Sequence, residues 1–453
     1  MLLHASEVLT PEGWAQDREV RISADGRILA VGPQGTRCDH VADLLLPAPT
    51  NLHSHTFQRA MAGLTEARGP DPDDSFWTWR RLMYRFLDRL RPEDVEAIAA
   101  LAFVEMLETG YGAVAEFHYL HHCPDGRPYD DRAELSRRIA RAAEAAGIGL
   151  TLLPVLYQVG GCDGRALDGG QRRFGNDPDR YAALLDGARA GIGGRPDARL
   201  GVAPHSLRAV TRDGLASISD LAGDGPIHMH LAEQQAEVAE VQAHRGARPV
   251  DWALDHLPLG PGWCLIHCTQ MTAAETQRLA ATGAVAGLCP LTEASLGDGI
   301  FPARGFVGAG GRFGIGTDSN IDIALFGELS MLEYGQRLRD RARAVLATPE
   351  RSTGRVLFEA ACSGGAQAAG RNSGAIAPGA WADLIALETT SEILCGRRGD
   401  AALDTIVFGG RGGRAVTDVW SAGRHVVREG RHIARDALVP PAIAAMRRLG
   451  EAL

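Results

Sequence analysis

Eight short apolar runs recur between about residues 46 and 375, and most of them end on a side chain that can do chemistry. They are LLLPAPTNLHSH, YGAVAEFHY, IGLTLLPVLY, ARLGVAPHS, PIHMHLAE, WCLIHCT, AVAGLCPLT and RFGIGTDS. Between or beside them lie PEDVEAIAALAFVEMLETG, DRAELSRRIARAAEAAG and AAETQRLAATG, with apolar residues at three- and four-residue spacing and glycine near their ends. That is the pattern of amphipathic helices. Strands alternating with helices build a parallel sheet, and eight alternations are what a closed (β/α)8 barrel requires. The competing architecture is an open, doubly wound sheet, and the strand ends decide between the two. They carry His53 and His55, Tyr119, Tyr157, His205, His230 with Glu233, His267, Thr292, and Asp318. A barrel gathers the C-terminal ends of its strands at one mouth, whereas an open sheet would spread them along a wide edge. The expected class is therefore α/β, with a TIM-like barrel over residues 47–375.

The flanks have a different texture. REVRIS, ADGR and ILAVG near the start, and WADLIALE, DTIVFGG, AVTDVWSAG and RHVVREG near the end, read as short strands and turns. Residues 1–46 and 376–453 are expected to join into one small composite β-sandwich, the second part ending in a terminal helix.

Composition removes several classes of function. A formal charge of -9 and a pI near 5.9 argue against nucleic acid or an anionic membrane surface as partner. An anionic substrate would therefore need local arginines. The start, MLLHASEVLTPEGW, has no basic region followed by a long apolar one, and no stretch reaches the ~18 apolar residues of a membrane span. Eight scattered cysteines in a chain of 453 residues suit free thiols in a reducing cytoplasm.

His53 and His55 alternate along a strand, about 6.6 Å apart on one face at the usual rise, close enough to lean onto one ion at about 2.1 Å each. An HxH pair alone is as often two packed or surface histidines. Its company strengthens it: His228-Met229-His230-Leu231-Ala232-Glu233 ends the fifth strand, His267 the sixth, and Gly316-Thr317-Asp318-Ser319 the eighth. Three imidazoles and one carboxylate would hold a divalent ion and leave room for water. His230 lies nearer the strand end than His228, which is assigned to packing. Cys264, His267 and Cys268 form a rival ligand set, but no second cysteine pair stands at suitable spacing.

These motifs, with GAIAPGAWADLIAL as a return to the β domain, resemble the amidohydrolase superfamily over nearly the whole chain. The fourth strand reads VAPHSL, without the lysine of two-metal members, so the resemblance implies a single divalent ion, zinc being the usual occupant. HSHTFQRAMAG, DSFWTWRRLMYRF, AVAEFHYLHH, APHSLRAV, HMHLAEQ and LEYGQRL are similar to the formimidoylglutamate deiminase family. That family hydrolyses N-formimidoyl-L-glutamate to N-formyl-L-glutamate and ammonia in histidine degradation.

Carried over by motif, the metal ligands are His53, His55, His230 and Asp318, while Gln58, Arg80, Tyr119, His205 and Arg208 face the substrate. Arginines suit its two carboxylates. Asp318 and His267 would position the attacking water and take its proton, Glu233 would carry protons to the departing nitrogen, and His205 would steady the tetrahedral centre. The resemblance also suggests a homodimer. Glu233 could instead open the following helix, and each arginine could be a surface ion pair. Glycine-rich residues 158–176 are a candidate lid or a plain surface loop. The alternatives are a related deaminase acting on another acidic amidine, a purine or a pterin, or a non-catalytic metal-binding scaffold, against which the presence of Glu233 and Asp318 speaks.

Overall fold

The computed structural model describes residues 1–33, 35, 38–66, 76–410 and 412–451, the side chains of residues 76–81 excepted. Strands β1 (Leu2–Thr10), β2 (Gly13–Ile22), β3 (Ile28–Pro33) and β4 (His40–Pro47) open the chain. The parallel strands β5 (Thr50–Ser54), β6 (Ala113–His118), β7 (Gly149–Leu156), β8 (Arg199–Leu200), β9 (Ala203–Pro204), β10 (Ile227–Leu231), β11 (Trp263–His267), β12 (Val285–Leu288) and β13 (Arg312–Ile315) follow, with helices between them. The last strands are β14 (Leu384–Leu387), β15 (Val416–Ser421), β16 (Arg424–Arg428) and β17 (Arg431–His432).

The barrel consists of two arcs. β5 to β9 form one, the fourth stave being split into β8 and β9, which both pair with β7; β10 to β13 form the other. Parallel bridges Val202–Ile227 and Ser206–His230 join them on one side, and Ser54–Asp318 joins them on the other. The ring is therefore closed, and both joints lie beside residues that the sequence marks as functional.

The apolar run LLLPAPTNLHSH divides at its two prolines. Leu44–Pro47 belongs to β4, which pairs with β14, while Thr50–Ser54 is the first barrel stave. Pro47 and Pro49 bracket Ala48 and donate no hydrogen bond, and Ala48 gives its N–H to the Asp383 carbonyl at 2.8 Å. The chain crosses there from one domain to the other. The two chain ends make a β-sandwich domain whose eight strands are linked in the order β17-β16-β15-β14-β4-β1-β2-β3. Leu3, Val8, Val20, Ile28, Leu45, Leu384 and Trp420 pack in its own core.

Helices cover the barrel as their patterning requires. Glu134–Ala146 buries Leu135, Ile139, Ala142, Ala143 and Ala146 and stops at Gly147, whose φ of 72° is open to glycine without strain. The terminal helix Arg435–Gly450 rests on the barrel helix Pro92–Glu108, where Arg435 meets Glu108 and Arg448 meets Asp94. No helix among the described residues is long and apolar enough to cross a membrane.

Candidate metal centre and substrate cavity

Four of the strand-end side chains meet at one point. The donor atoms of His53, His55, His230 and Asp318 all lie within 4.8 Å of one another, and all four residues are buried. Nε2 of His53 and of His55 stand 3.3 and 3.1 Å from Asp318 Oδ1. His55 Nδ1 faces the Phe117 carbonyl at 2.9 Å, and His230 Nδ1 faces that of His205 at 3.1 Å. A carbonyl only accepts, so each Nδ1 carries the proton and each Nε2 offers a lone pair to the centre.

His53 is fully enclosed, and neither of its ring nitrogens makes a hydrogen bond. Such an orphaned group is costly, and a cation among the four donors would satisfy its Nε2. Burial pushes His53 down to about 3, leaving it in the neutral, ligating form. Burial alone would raise Asp318, but the His53 and His55 rings beside its Oδ1 hold it well below the usual carboxylate range. Three imidazoles and an ionised carboxylate, with His55, His230 and Asp318 lining the cavity, fit one divalent ion with an open position.

The backbone is bent to make this meeting possible. Ala232, His267, Cys268, Asp318 and Asn320, all at or just beyond strand ends, have φ between 45° and 71°, a conformation that non-glycine residues hold only when their surroundings enforce it. Asn320 donates to Ser54 Oγ at 3.1 Å, and Thr317 N donates to Asn51 Oδ1 at 3.1 Å, tying the β13 turn to β5. Gly316 is required by proximity: a Cβ there would lie 2.7 Å from the His53 carbonyl oxygen.

Titratable side chains line the next layer. His267 Nε2 is 3.9 Å from Glu233 Oε1 and 4.0 Å from Asp318 Oδ2. Burial opposes its charge, yet Glu233, Glu293 and Asp318 raise His267 to about 10. Glu233 is raised by burial, partly offset by His267 and Arg208, so it can hold a proton closer to neutrality than an ordinary glutamate. The helix after β10 starts at Gln235, beyond Glu233. The Ala232 and Glu233 amides both donate to Glu237, at 3.1 Å each, which fixes the turn while Glu233 itself lines the cavity.

At the seventh stave the sequence singled out Thr292, whose hydroxyl instead braces the neighbouring turn through the Thr317 carbonyl and Ser319 Oγ. Glu293 is the residue there that reaches the centre, with Oε1 3.3 Å from His267 Nδ1. Sequence reasoning missed it and missed Asp298, which burial and Glu233 push up to about 9. The carboxylates of TEASLGD were the available signal.

A cavity opens over the centre, lined among others by Gln58, Tyr119, Tyr157, His205, Arg208 and Glu233. Gln58 sits on the 3₁₀ turn Thr56–Met61, pinned by Glu116, which accepts from Thr56 N at 2.7 Å and Thr56 Oγ1 at 2.6 Å. Its amide donates to Tyr119 Oη at 2.6 Å, and its Oε1 is buried without a partner. His205 packs edge-on against Tyr157 and lies 4.9 Å from the His230 ring.

Arg208 is only 9% exposed; its Nε is enclosed with no hydrogen-bond partner. Burial works against its charge, and Glu237 and Glu233 sustain it. Arg80 lies on the helix Phe76–Leu87, but its side chain is outside the described residues. Of the candidate lid, Gly160, Gly161, Arg165 and Phe174 line the cavity. Cys264 and Cys268 face apolar clusters, apart from the metal donors.

Residues 44–426 match the amidohydrolase family, and residues 1–36 match the N-terminal domain of formimidoylglutamate deiminase HutF. The chain is 49% identical over 455 residues to the formimidoylglutamate deiminase of Pseudomonas aeruginosa, covering 100% of this chain and 99% of that one. It is 30% identical over 392 residues to a 5-methylthioadenosine/S-adenosylhomocysteine deaminase of Natronomonas pharaonis, covering 84% and 82%. A crystal structure of an amidohydrolase from Brucella melitensis aligns with a TM-score of 0.95 at 48% identity, covering 99% of each chain.

Proposed function

Because the chain belongs to the amidohydrolase family, with the N-terminal domain of the formimidoylglutamate deiminases, we propose that it hydrolyses N-formimidoyl-L-glutamate to N-formyl-L-glutamate and ammonia, a step of histidine degradation. Arg208 carries the substrate reading: a nearly buried guanidinium in the wall of the cavity, its charge sustained by Glu237 and Glu233, keeps its Nε without a hydrogen-bond partner, and a carboxylate matches its planar fork. A neutral heterocycle would leave it unmatched. Gln58, Tyr119 and His205 would hold the rest of the substrate over the centre, and Arg80 is assigned to its second carboxylate on motif alone.

His53, His55, His230 and Asp318 would hold one divalent ion, and this donor set suits zinc. Bound there, the ion supplies Lewis acidity that makes water a usable nucleophile near neutral pH. Asp318, held ionised, accepts the proton of the attacking oxygen, and His267, kept charged by Glu233, Glu293 and Asp318, orients that oxygen by donating to it. Glu233, held across from His267, passes a proton to the amidine nitrogen, which then departs as ammonia. The eight free thiols suit a reducing cytoplasm, and a homodimer is inferred from the family resemblance.

The test is direct. Zinc-loaded protein should release one ammonia per formimidoylglutamate and leave formylglutamate. Formamide and glutamate would mean that the other C–N bond is cut. Turnover of methylthioadenosine or another purine in place of formimidoylglutamate would move the chain to the other deaminases. Elemental analysis and sedimentation test the zinc and the dimer.

A further inference from the structure

Glu293 belongs to the helix Pro290–Leu296 that follows β12, and its carboxylate is buried beneath the cavity rather than in it. A purely local role is available, because Oε1 accepts the N–H of Cys289, the residue that caps this helix, at 3.0 Å. The same oxygen, however, stands 3.3 Å from Nδ1 of His267 on the adjacent strand. That contact turns the other ring nitrogen outward, where Nε2 lies almost midway between Glu233 and Asp318, at 3.9 and 4.0 Å. Both distances exceed a direct hydrogen bond, so among these groups the ring is anchored through Nδ1 alone. The backbone of His267 adds little freedom, since its φ of 71° is enforced by its surroundings.

From this geometry we propose that Glu293 is the positioning residue for His267. It sets the rotation of the imidazole, and by accepting at Nδ1 it commits Nε2 to the reacting oxygen. Cys289 ties Glu293 in turn to the end of β12, so the orientation of the His267 imidazole is built into the barrel. This inference rests on the deiminase reading for the reaction that it serves, but the orientation itself can be observed without turnover.

Glu293→Gln keeps an acceptor for the Cys289 amide and removes the charge, and Glu293→Leu removes both. The glutamine variant should fold, retain its metal and its KM, and lose about ten- to hundredfold in kcat, the usual scale for a group that orients an active side chain. The leucine variant should lose more. Because Glu293 acts through His267, its substitution should cost nothing further in a His267→Ala background, giving a strongly non-additive cycle. Additive losses, or a wild-type kcat in both variants, would overturn the proposal.

Crystals of metal-loaded Glu293→Leu provide a readout independent of activity. The His267 ring should turn away from the Asp318 side, and a ring held as in the unaltered protein would overturn the assignment. If the unaltered protein does not deiminate formimidoylglutamate, the deiminase reading fails while this structural arm still decides the role of Glu293.

Discussion

Glu233 and Arg208 separate the two tasks of the site, and substitution should separate them too. Glu233→Gln keeps shape and removes the proton carrier, so kcat should fall on the order of 10²–10⁴-fold with metal content unchanged; ammonia release and elemental analysis measure both. Intact turnover would reject the assigned role. Arg208→Gln should act mainly on binding. A hydrogen bond to a charged group is worth about 1.5–3 kcal/mol, so kcat/KM should fall roughly 10- to 100-fold, mostly through KM. A kcat effect alone would place Arg208 with the chemistry instead. The residues legible in the sequence were those whose chemistry stands in a short motif: His53 with His55, His230 with Glu233, Asp318 in its turn. Glu293 was illegible because its role depends on β11 and β12 lying side by side, and Asp298 because its burial against Glu233 is made by segments far apart in the chain.

At the scale of elements, the segment 158–176 is a cavity wall with a deep anchor. Arg173 closes the 3₁₀ turn Gly169–Arg173 and is fully buried; it donates to the carbonyls of His122 at 2.9 Å and Leu90 at 3.2 Å, and to that of Leu87. Phe174 beside it packs edge-on against Tyr119 and Tyr157. Arg173→Met would leave buried carbonyls unpaired, at about 1–3 kcal/mol each. The melting temperature should drop by several degrees, proteolysis should start within 158–176, and KM should rise more than kcat falls. Unchanged melting and KM would mean that the segment is a plain surface loop. Glycine content alone could not distinguish wall from loop, because the anchor is an arginine whose partners lie on other elements. LLLPAPTNLHSH runs from one domain into the other, and the pairing of β4 with β14 assigns its first half to the β domain.

The whole molecule carries a pH dependence set by what it buries. The barrel as a class was legible because the strand ends carry one kind of chemistry, while its closure through Ser54–Asp318 was not, since a bridge joining the first stave to the last has no local signal. Closure encloses imidazoles away from water. Burial pushes His118 down to about 3 and His228 to about 4, from an ordinary value near 6.5. Between those values the unfolded chain binds protons that the native chain refuses. Their contribution to stability is therefore complete above about pH 6.5 and lost as pH falls. His267, raised to about 10, works in the opposite sense: its contribution is complete below about pH 6.5 and lost as pH climbs toward 10. The metal-free protein should accordingly be most stable near neutrality, with the steeper fall on the acid side, where His53 is also held neutral. Each pH unit costs up to about 1.4 kcal/mol for each such group. Metal at about 100 times its Kd should add roughly 2.7 kcal/mol at neutral pH, and that increment should persist toward pH 5, because burial keeps His53 and His230 free of competing protons. Calorimetry from pH 7.5 to 5, with chelator and with zinc, should give two melting curves that both fall and stay parallel; curves that converge above pH 5 would mean that protons reach the ligand imidazoles and that burial does not hold them neutral.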